Sequence, residues 1–435
     1  MKNLTKPERA WVLYDWANSA HTMIIATTLF PLWFGQTARN GGLSDTQTTF
    51  WLGTTNMVYS LIVAIFAAFL GTVSDFRGSR KKLFTIFWIL GIAATASLVL
   101  VDNSAWKFAL ILYAVSFIGF AGANIAYDAS LPGVTSPERM DMVSAMGFGY
   151  GYIGGSTIPF IIGLAVIAWL SGMNLNDGLP ALGVKISFAL AALWWFIFTF
   201  PYLKHVKQVH GIEPVPHPVA ASFRKLIQTF REIRKYKKIF LFLVAYFFYI
   251  DGVNTIIKMA TNFASSIGVG FVILLIIVIL IQLFAFPFAL LYGKLANRFG
   301  AGKMLFTGIG IYIIITAIGI VMPLVPQGAV VPLLFIVSFL VASSQGGIQA
   351  LSRSYFASLL SDKNNSGEFF GFYNTMGKFA AVLGPLLMGG APRLASQLGI
   401  ADEHKAYSFG IGSIFILLFV GVVFLVASVR VKNDT

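Results

Sequence analysis

The sequence contains no cysteine and few groups that could carry catalysis. Among its 435 residues there is no Cys, so disulfide bonds and thiolate metal sites are excluded. The five histidines are scattered along the chain and form no pattern of metal ligands. No phosphate-binding P-loop occurs, so nothing supports ATP-driven chemistry within this chain. The sequence therefore predicts neither an enzyme nor a protein with a bound cofactor.

Charged residues are also scarce, which indicates that most of the chain lies in lipid and not in water. Only 11% of the residues are charged and 57% are hydrophobic, a composition that excludes an ordinary soluble domain. A helix needs about 20 mostly apolar residues to cross the hydrocarbon layer. We predict twelve such spans, at residues 10–36, 49–73, 83–101, 107–129, 142–169, 185–203, 239–263, 268–292, 304–323, 332–354, 368–391 and 407–429. The first run is too long for a cleavable signal peptide, so we expect it to be retained as a helix.

The net charge of +14 is distributed by topology. If the N-terminus is cytoplasmic, most Lys and Arg residues fall in inner loops, and the outer loops hold only scattered ones. This positive-inside bias explains the charge without a nucleic-acid partner. We expect an integral membrane protein, in the bacterial inner or plasma membrane, with both termini cytoplasmic and the lipid bilayer as its partner.

A polar linker separates two groups of six spans. We predict an N-terminal six-helix bundle at 1–203, a cytoplasmic linker at 204–238 and a C-terminal six-helix bundle at 239–435. Pro214, Pro216 and Pro218 make the first part of the linker extended. Its second part alternates apolar and basic residues at helical spacing, which indicates a helix on the inner leaflet. We favour a simple linker helix over a regulatory site.

One short inner loop occurs twice, once in each half. The segments are GTVSDFRGSRKK, Gly71 to Lys82, and GKLANRFGAGK, Gly293 to Lys303. Both have a glycine, three residues, Asp or Asn, then Arg and a second glycine. Two copies in register argue against a purely topogenic basic loop, and they indicate a duplicated six-helix unit.

These loops resemble the conserved loops of the major facilitator superfamily. The resemblance implies an all-α membrane protein with twelve transmembrane helices in two pseudo-symmetric six-helix bundles. In that family the loop's Asp and Arg help to close the cytoplasmic side. The matching residues of an inner gate here are Asp75, Arg77, Arg80, Asn297 and Arg298. Asn stands at 297 where the family has Asp, so the second copy departs from the charged pattern.

A second duplicated pattern lies within the spans. Asp15 and Asn18 in the first span match Asp251 and Asn254 in the seventh. Residues three apart share a helical face, so each carboxylate projects with its amide. A carboxylate within hydrocarbon costs roughly 2.5–3.5 kcal/mol, which makes these residues candidates for binding substrate or protons. Asp251 is the deeper and stronger candidate, whereas an interfacial role for Asp15 is equally compatible with its position.

Further polar residues interrupt spans 4, 10 and 11. Asn124 and Gln349 are candidates for the substrate site, as is Lys378, whose charge is opposite to that of Asp251. A purely structural ion pair between Lys378 and Asp251 is an equal alternative. Asp128 and Arg353 lie toward cytoplasmic ends of their helices, so they are candidates for an inner gate across the halves. Against this gate, Arg353 would snorkel to lipid phosphate and Asp128 would pair locally.

Four segments show a closer resemblance. WVLYDWANSA, YIDGVNTI, GGIQALSRSYFASL and EFFGFYNTMGKFAAVLGPLL resemble the branch that contains fungal vacuolar amino-acid effluxers linked to autophagy and many bacterial proteins. Membership implies a transporter of a small polar or amphiphilic solute, with an amino acid as the best candidate and efflux as the direction. Because the chain has no P-loop, we expect a secondary transporter that works by alternating access, and the carboxylates within the spans predict coupling to protons. Two alternatives stay open: a lipid or drug exporter on the same scaffold, and a membrane receptor or scaffold that transports nothing.

Overall fold

Long helices make up most of the part of the chain that the structure describes. The computed structural model describes residues 4–172, 179–213, 236–266, 271–397 and 403–431, together with a few residues between 221 and 228. The predicted basic helix of the linker falls largely outside these residues. The helices of the first half are α1 (Lys6–His21), α2 (Leu29–Asn40), α3 (Asp45–Asp75), α4 (Ser79–Ser97), α5 (Trp106–Asp128), α6 (Leu131–Val134), α7 (Met140–Tyr150), α8 (Ile158–Leu170) and α9 (Ala181–His205).

The second half also consists mainly of long helices. Its helices are α10 (Lys237–Ser266), α11 (Phe271–Phe299), α12 (Ala301–Val321), α13 (Gln327–Leu359), α14 (Ser366–Gln397) and α15 (Glu403–Arg430). Ten helices of the described chain are long and apolar enough to cross a membrane. The predicted spans 1 and 11 are helical too, but they are not among the ten. Span 1 is divided into α1, a π-helix at Thr22–Thr27 and α2, and span 11 lies in α14, which carries several polar residues.

Helix boundaries follow local sequence signals. α1 begins after Thr5, whose hydroxyl accepts the N–H of Glu8 while the Glu8 carboxylate accepts the N–H of Thr5. Ser44 and Gln47 form the same capping box at the start of α3. Such reciprocal caps satisfy N–H groups that have no partner within the helix. A second π-helix, Gly151–Thr157, joins α7 to α8.

Contacts along the chain divide it into two units. Unit 1 comprises Met1–Ser136, Tyr150–Arg224 and Asp362–Phe372. Unit 2 comprises Pro137–Gly149, Lys225–Ser361 and Tyr373–Thr435. Each unit therefore includes one short segment from the other half of the chain. The division into two bundles with boundaries at 203 and 238 stays a prediction.

Each unit has an aromatic core. In unit 1, Tyr14 packs its ring against Phe84, Tyr127 and Tyr202 at centroid distances of 4.6–5.3 Å. In unit 2, Tyr246 stacks on Tyr373 at 4.2 Å. These large buried rings contribute to the packing between the helices of each unit.

Candidate functional site

The duplicated polar face of span 1 is buried inside unit 1. Asp15 and Asn18 on α1 are only 7% and 5% exposed. The Nδ2 of Asn18 donates to the Oδ1 of Asn124 on α5, over 2.9 Å. The structure therefore joins two of the predicted substrate-binding residues from spans 1 and 4. Helix α1 comes close to the π-helix of span 5 here, because a Cβ on Gly151 would lie 2.7 Å from the hydroxyl of Ser19.

The matching residue in unit 2, Asp251, is completely buried on α10. Its two carboxylate oxygens accept the backbone N–H of Gly384 on α14, over 2.9 and 3.0 Å. Thr255, one turn farther along α10, donates its hydroxyl to the same carboxylate over 3.4 Å. A Cβ on Gly384 would collide with Thr255, so only glycine allows this approach of the two helices.

The remaining predicted substrate residues of unit 2 are half-buried. They are Asn254 on α10, Gln349 on α13 and Lys378 on α14. Lys378 precedes Gly384 on the helix that contacts Asp251. A pairing of Lys378 with Asp251, and a binding role for these three side chains, stay predictions.

The first repeated loop forms a buried charged cluster in unit 1. Asp75, at the end of α3, pairs with Arg80 over 3.1 Å, and both side chains are at least 95% buried. The same carboxylate accepts the N–H groups of Gly367 over 2.7 Å and Glu368 over 2.9 Å. These are the first amides of α14, where the helix dipole is positive and N–H groups lack partners inside the helix.

Arg80 completes this cluster. Its guanidinium donates to the carbonyl of Ala129 over 2.9 Å and to the hydroxyl of Ser366 over 3.1 Å. Ser366 donates in turn to the Ala129 carbonyl over 3.0 Å. We call this group the Asp75 lock; its members are Asp75, Arg80, Ser366, Gly367 and Glu368. It ties the start of α14 to the ends of α3 and α5.

The other residues predicted from the loops lie on the surface. Arg77 pairs with Glu213 over 2.7 Å, and the two side chains are 63% and 76% exposed. An exposed pair of this kind contributes little stability because water and salt screen it. Asn297 and Arg298 of the second copy are exposed.

Unit 2 holds the start of α7 by a different set of bonds. Arg353 on α13 donates from Nε to the hydroxyl of Ser144 over 3.0 Å and from Nη2 to the Ser144 carbonyl over 3.2 Å. Its guanidinium also lies 4.4 Å from the ring centre of Phe148, a cation–π contact. Ser354 donates to the carboxylate of Asp141 over 2.5 Å. Asp128 is buried in unit 1, and its predicted pairing with Arg353 stays a prediction.

The first glycine of each repeated loop marks a close helix contact. A Cβ on Gly71 would collide with the carbonyl of Gly367 and lie 3.0 Å from Gly371. A Cβ on Gly293 would lie 2.5 Å from that of Ala145 and 3.3 Å from the Cα of Met142. The two glycines therefore have the same role: Gly71 allows α3 to approach α14, and Gly293 allows α11 to approach α7. The duplication therefore extends to these close helix contacts, although the charged Asp75 of the first loop corresponds to the uncharged Asn297 of the second.

Sequence reasoning missed several partners in these clusters. It named Asp75 but not the amides of Gly367 and Glu368, and it named Arg353 but not Ser144. The missing partners are backbone groups or serines, which have no distinctive pattern. A usable signal was present for Gly367 and Gly371, since small residues four apart indicate a close helix contact. In the described residues, no three His, Asp or Glu side chains come together as metal ligands.

Comparisons with known proteins agree with this architecture. A family model described as "Vacuole effluxer Atg22 like" matches residues 48–434. The chain is 46% identical to an uncharacterized MFS-type transporter, YxiO, of Bacillus subtilis, over 97% of this chain and 96% of that protein. It is 23% identical to autophagy-related protein 22 of Eremothecium gossypii, over 97% of this chain and 89% of the relative.

Solved structures share the fold. The proton:xylose symporter XylE, bound to 6-bromo-6-deoxy-D-glucose, superposes with a TM-score of 0.71 at 14% identity, covering 97% of this chain and 94% of that one. A bacterial homologue of the iron transporter ferroportin, in an outward-facing state with soaked iron, superposes with a TM-score of 0.68 at 12% identity, covering 99% of this chain and all of that one. At these identities the likeness concerns the fold alone, and it is the twelve-helix major facilitator fold.

Proposed function

The chain belongs to the Atg22-like vacuole effluxer family, a branch of MFS-type transporters, and on that premise we propose that it exports a small polar solute by alternating access. Efflux is the proposed direction because the family name denotes an effluxer. An amino acid is the proposed substrate class, because buried carboxylates and an amide of the candidate site, Asp15, Asn18 and Asp251, would suit its charged groups. The proposed location is the plasma membrane with both termini cytoplasmic, as the distribution of Lys and Arg favours.

The observation that carries this proposal is the fully buried carboxylate of Asp251. It lies inside a membrane-spanning helix and accepts a backbone N–H of a neighbouring helix. An ionised carboxylate there is costly, so a proton or a cationic group of the substrate would bind it with a favourable free energy. Protonation would also weaken its bond with the Gly384 N–H, because a neutral carboxyl is a poorer acceptor. Asp251 is thus the proposed proton-binding residue.

The Asp75 lock and the Arg353–Ser144 pair supply the proposed inner gate. The Asp75 lock holds the first turn of α14, and Arg353 with Ser144 holds α7. Both sets of bonds join side chains of one helix to groups of another, so they can separate without breaking the backbone hydrogen bonds within a helix. In the proposed cycle these bonds form when the inner side closes and break when it opens.

The first experiment identifies the substrate. Purified protein is screened for thermal stabilisation by amino acids, peptides, sugars, nucleosides and lipids, since a ligand that binds the native state raises its melting temperature. Each hit is then tested for counterflow in proteoliposomes. Stabilisation and counterflow by amino acids support the proposed substrate class, and counterflow of a sugar or nucleoside alone contradicts it.

The second experiment tests the proton. Asp251→Asn keeps the size of the side chain and one oxygen for the Gly384 N–H but cannot bind a proton. We expect transport driven by a pH gradient to fall at least tenfold while counterflow persists. The matched control is Asp102→Asn, in an exposed loop where the Asp102 carboxylate accepts the N–H and the hydroxyl of Ser104. Unchanged gradient-driven transport in Asp251→Asn would exclude this coupling mechanism.

One observation favours a second function, the export of an amphiphile. Unit 1 has a wholly apolar cavity of about 170 Å³ between α3, α4 and α5. Its lining residues are Ile62, Val63, Phe66, Leu70, Phe87, Ile118, Gly122 and Ile125. Sites for drug-sized ligands are usually about 300–1,000 Å³, so this cavity would hold only part of an acyl chain. Stabilisation by lipids together with no response to amino acids would favour this alternative.

A further inference from the structure

The first residues of the linker are bound to the Asp75 lock. Residues 207–213, which follow α9 and which we call the strap, lie against the turn between α3 and α4. The strap belongs to unit 1, as do the lock and the segment Asp362–Phe372. A linker that served only to connect two bundles would not need such contacts.

Gln208 makes the densest set of bonds in the strap. Its Oε1 accepts two N–H groups at the start of α4, and its Nε2 is shared among three carbonyls at the end of α3. The partners, at 3.0–3.4 Å, are the N–H groups of Gly78 and Arg80 and the carbonyls of Ser74, Asp75 and Phe76. Groups at helix ends have no partner within their own helix. One amide side chain thus caps two helices at once, on both sides of the Asp75 carboxylate.

The strap backbone adds a second attachment. The N–H of Ile212 donates to the carbonyl of Asp75 over 2.9 Å, and the carbonyl of Ile212 accepts the N–H of Arg77 over 3.0 Å. A Cβ on Gly211 would lie 2.7 Å from the Asp75 carbonyl, so the strap passes too close for any residue except glycine. The strap is therefore fitted to the main chain of the lock residue itself.

The strap also reaches the segment that begins α14. The N–H of Gly211 donates to the Oδ1 of Asn364 over 3.1 Å, two residues before Ser366 of the lock. The strap therefore contacts both sides of the lock, the turn that supplies Asp75 and Arg80 and the turn that supplies the amides of Gly367 and Glu368.

From these contacts we infer that Gln208 is a positioning residue of the inner gate, and that docking of the strap holds the Asp75 lock closed. This inference rests on the gating role proposed above for the lock. The carboxylate of Asp75 receives the amides of α14 only if the end of α3 keeps its orientation. Gln208 fixes that orientation because its side chain forms hydrogen bonds with the peptide groups that precede and follow Asp75. Release of the strap would favour opening of the lock.

The absence of cysteine gives a direct assay. Ser366→Cys places a single thiol in the lock at a position that is fully buried when α14 is docked. Its alkylation by N-ethylmaleimide in purified, detergent-solubilised protein reports how often the lock opens. We expect Gln208→Ala in this background to raise the alkylation rate about tenfold, as expected for the net loss of one or two hydrogen bonds.

The matched control is Gln47→Ala. Gln47 also caps a backbone N–H of α3, but at the opposite end of that helix. We expect Gln47→Ala to leave the alkylation rate unchanged. Equal increases in both variants would mean general loosening, and no increase in Gln208→Ala would mean that the strap does not position the lock. Either result overturns the inference. A merely structural role for Gln208 would lower the melting temperature without changing alkylation at a temperature well below it.

A second variant protects the test if Gln208→Ala fails to fold. Gly211→Ala pushes the strap away from the Asp75 carbonyl, and Gly53→Ala is its control because Gly53 has open space around its Cα. We expect faster alkylation only for Gly211→Ala, and equal rates would again overturn the inference. Failure of the transport proposal is separable: it appears as absent counterflow, whereas the alkylation assay needs no substrate.

Discussion

Replacing Asp75 by Asn removes the acceptor at the centre of the Asp75 lock. The side chain keeps its size, but the carboxylate loses its charge and presents an NH2 group toward donors. Three donors then compete for one oxygen: the guanidinium of Arg80 and the amides of Gly367 and Glu368. Arg80 is left as a cation without its buried ionic partner, since its side chain is only 5% exposed.

The cost follows from the general behaviour of buried ion pairs. Removing one partner of a buried pair costs about 3–5 kcal/mol. Arg80 keeps its bonds to the Ala129 carbonyl and the Ser366 hydroxyl, so we expect the lower end, about 3 kcal/mol. A free energy of this size shifts the equilibrium between closed and open lock by about 150-fold.

Amide hydrogen exchange measures this equilibrium. The N–H groups of Gly367 and Glu368 exchange only when they leave Asp75, so a peptide covering residues 362–372 should exchange faster by about two orders of magnitude in Asp75→Asn. Asp102→Asn, in an exposed loop, should leave this peptide unchanged. If exchange in Asp75→Asn rises less than threefold, the lock does not hold the start of α14 and the reasoning is refuted.

Two further predictions concern packing and pH. Gly384→Ala should lower the melting temperature because its Cβ would collide with Thr255 on α10, whereas Gly310→Ala, which has open space, should not; equal melting temperatures would contradict the close contact of α10 and α14. Partial burial and the nearby cations lower the pKa of His210 in the strap, so the docked strap favours neutral imidazole. The charged groups that face it are Lys363, Arg80 and Asp362. Protonation therefore costs more when the strap is docked, and this penalty grows as the pH falls through about 6.5. Between pH 7.5 and 5.5 the melting temperature of the unmodified protein should fall more than that of His210→Gln, and above pH 7.5 the two should change alike. Identical dependence of the melting temperature on pH in both proteins would contradict this effect.

Much of the fold was predictable from the sequence because lipid imposes a strong local rule. A spanning segment must satisfy its backbone hydrogen bonds internally and present apolar side chains, so each span shows itself in about 20 consecutive residues. The duplicated loops indicated a duplicated six-helix unit, and the fold comparisons confirmed the twelve-helix major facilitator fold. The predicted face of Asp15 and Asn18 is buried, and Asn18 meets the predicted residue Asn124.

The site was less predictable where partners are distant in sequence. Asp75 and Arg80 are five residues apart and share a recognisable motif, so both were predicted. The amides that complete the lock lie 292 and 293 residues away from Asp75, and a backbone N–H has no sequence signature. Arg77 matched the motif equally well, yet it lies on the surface beside Glu213. Position in a motif does not decide which of two arginines turns inward.

The sequence by itself determined that the protein lies in a membrane, that it is helical and that one loop is duplicated. It also identified the few carboxylates within the spans as candidates for function. These properties are local, because each depends on one span or one loop and on the surrounding lipid. The tertiary structure alone decided which groups those carboxylates meet: Gly384 for Asp251, and the first turn of α14 for Asp75. It also placed Gln208 of the linker on the lock. The physical reason is that hydrogen bonds between helix ends depend on how distant helices pack, and packing is a property of the whole fold.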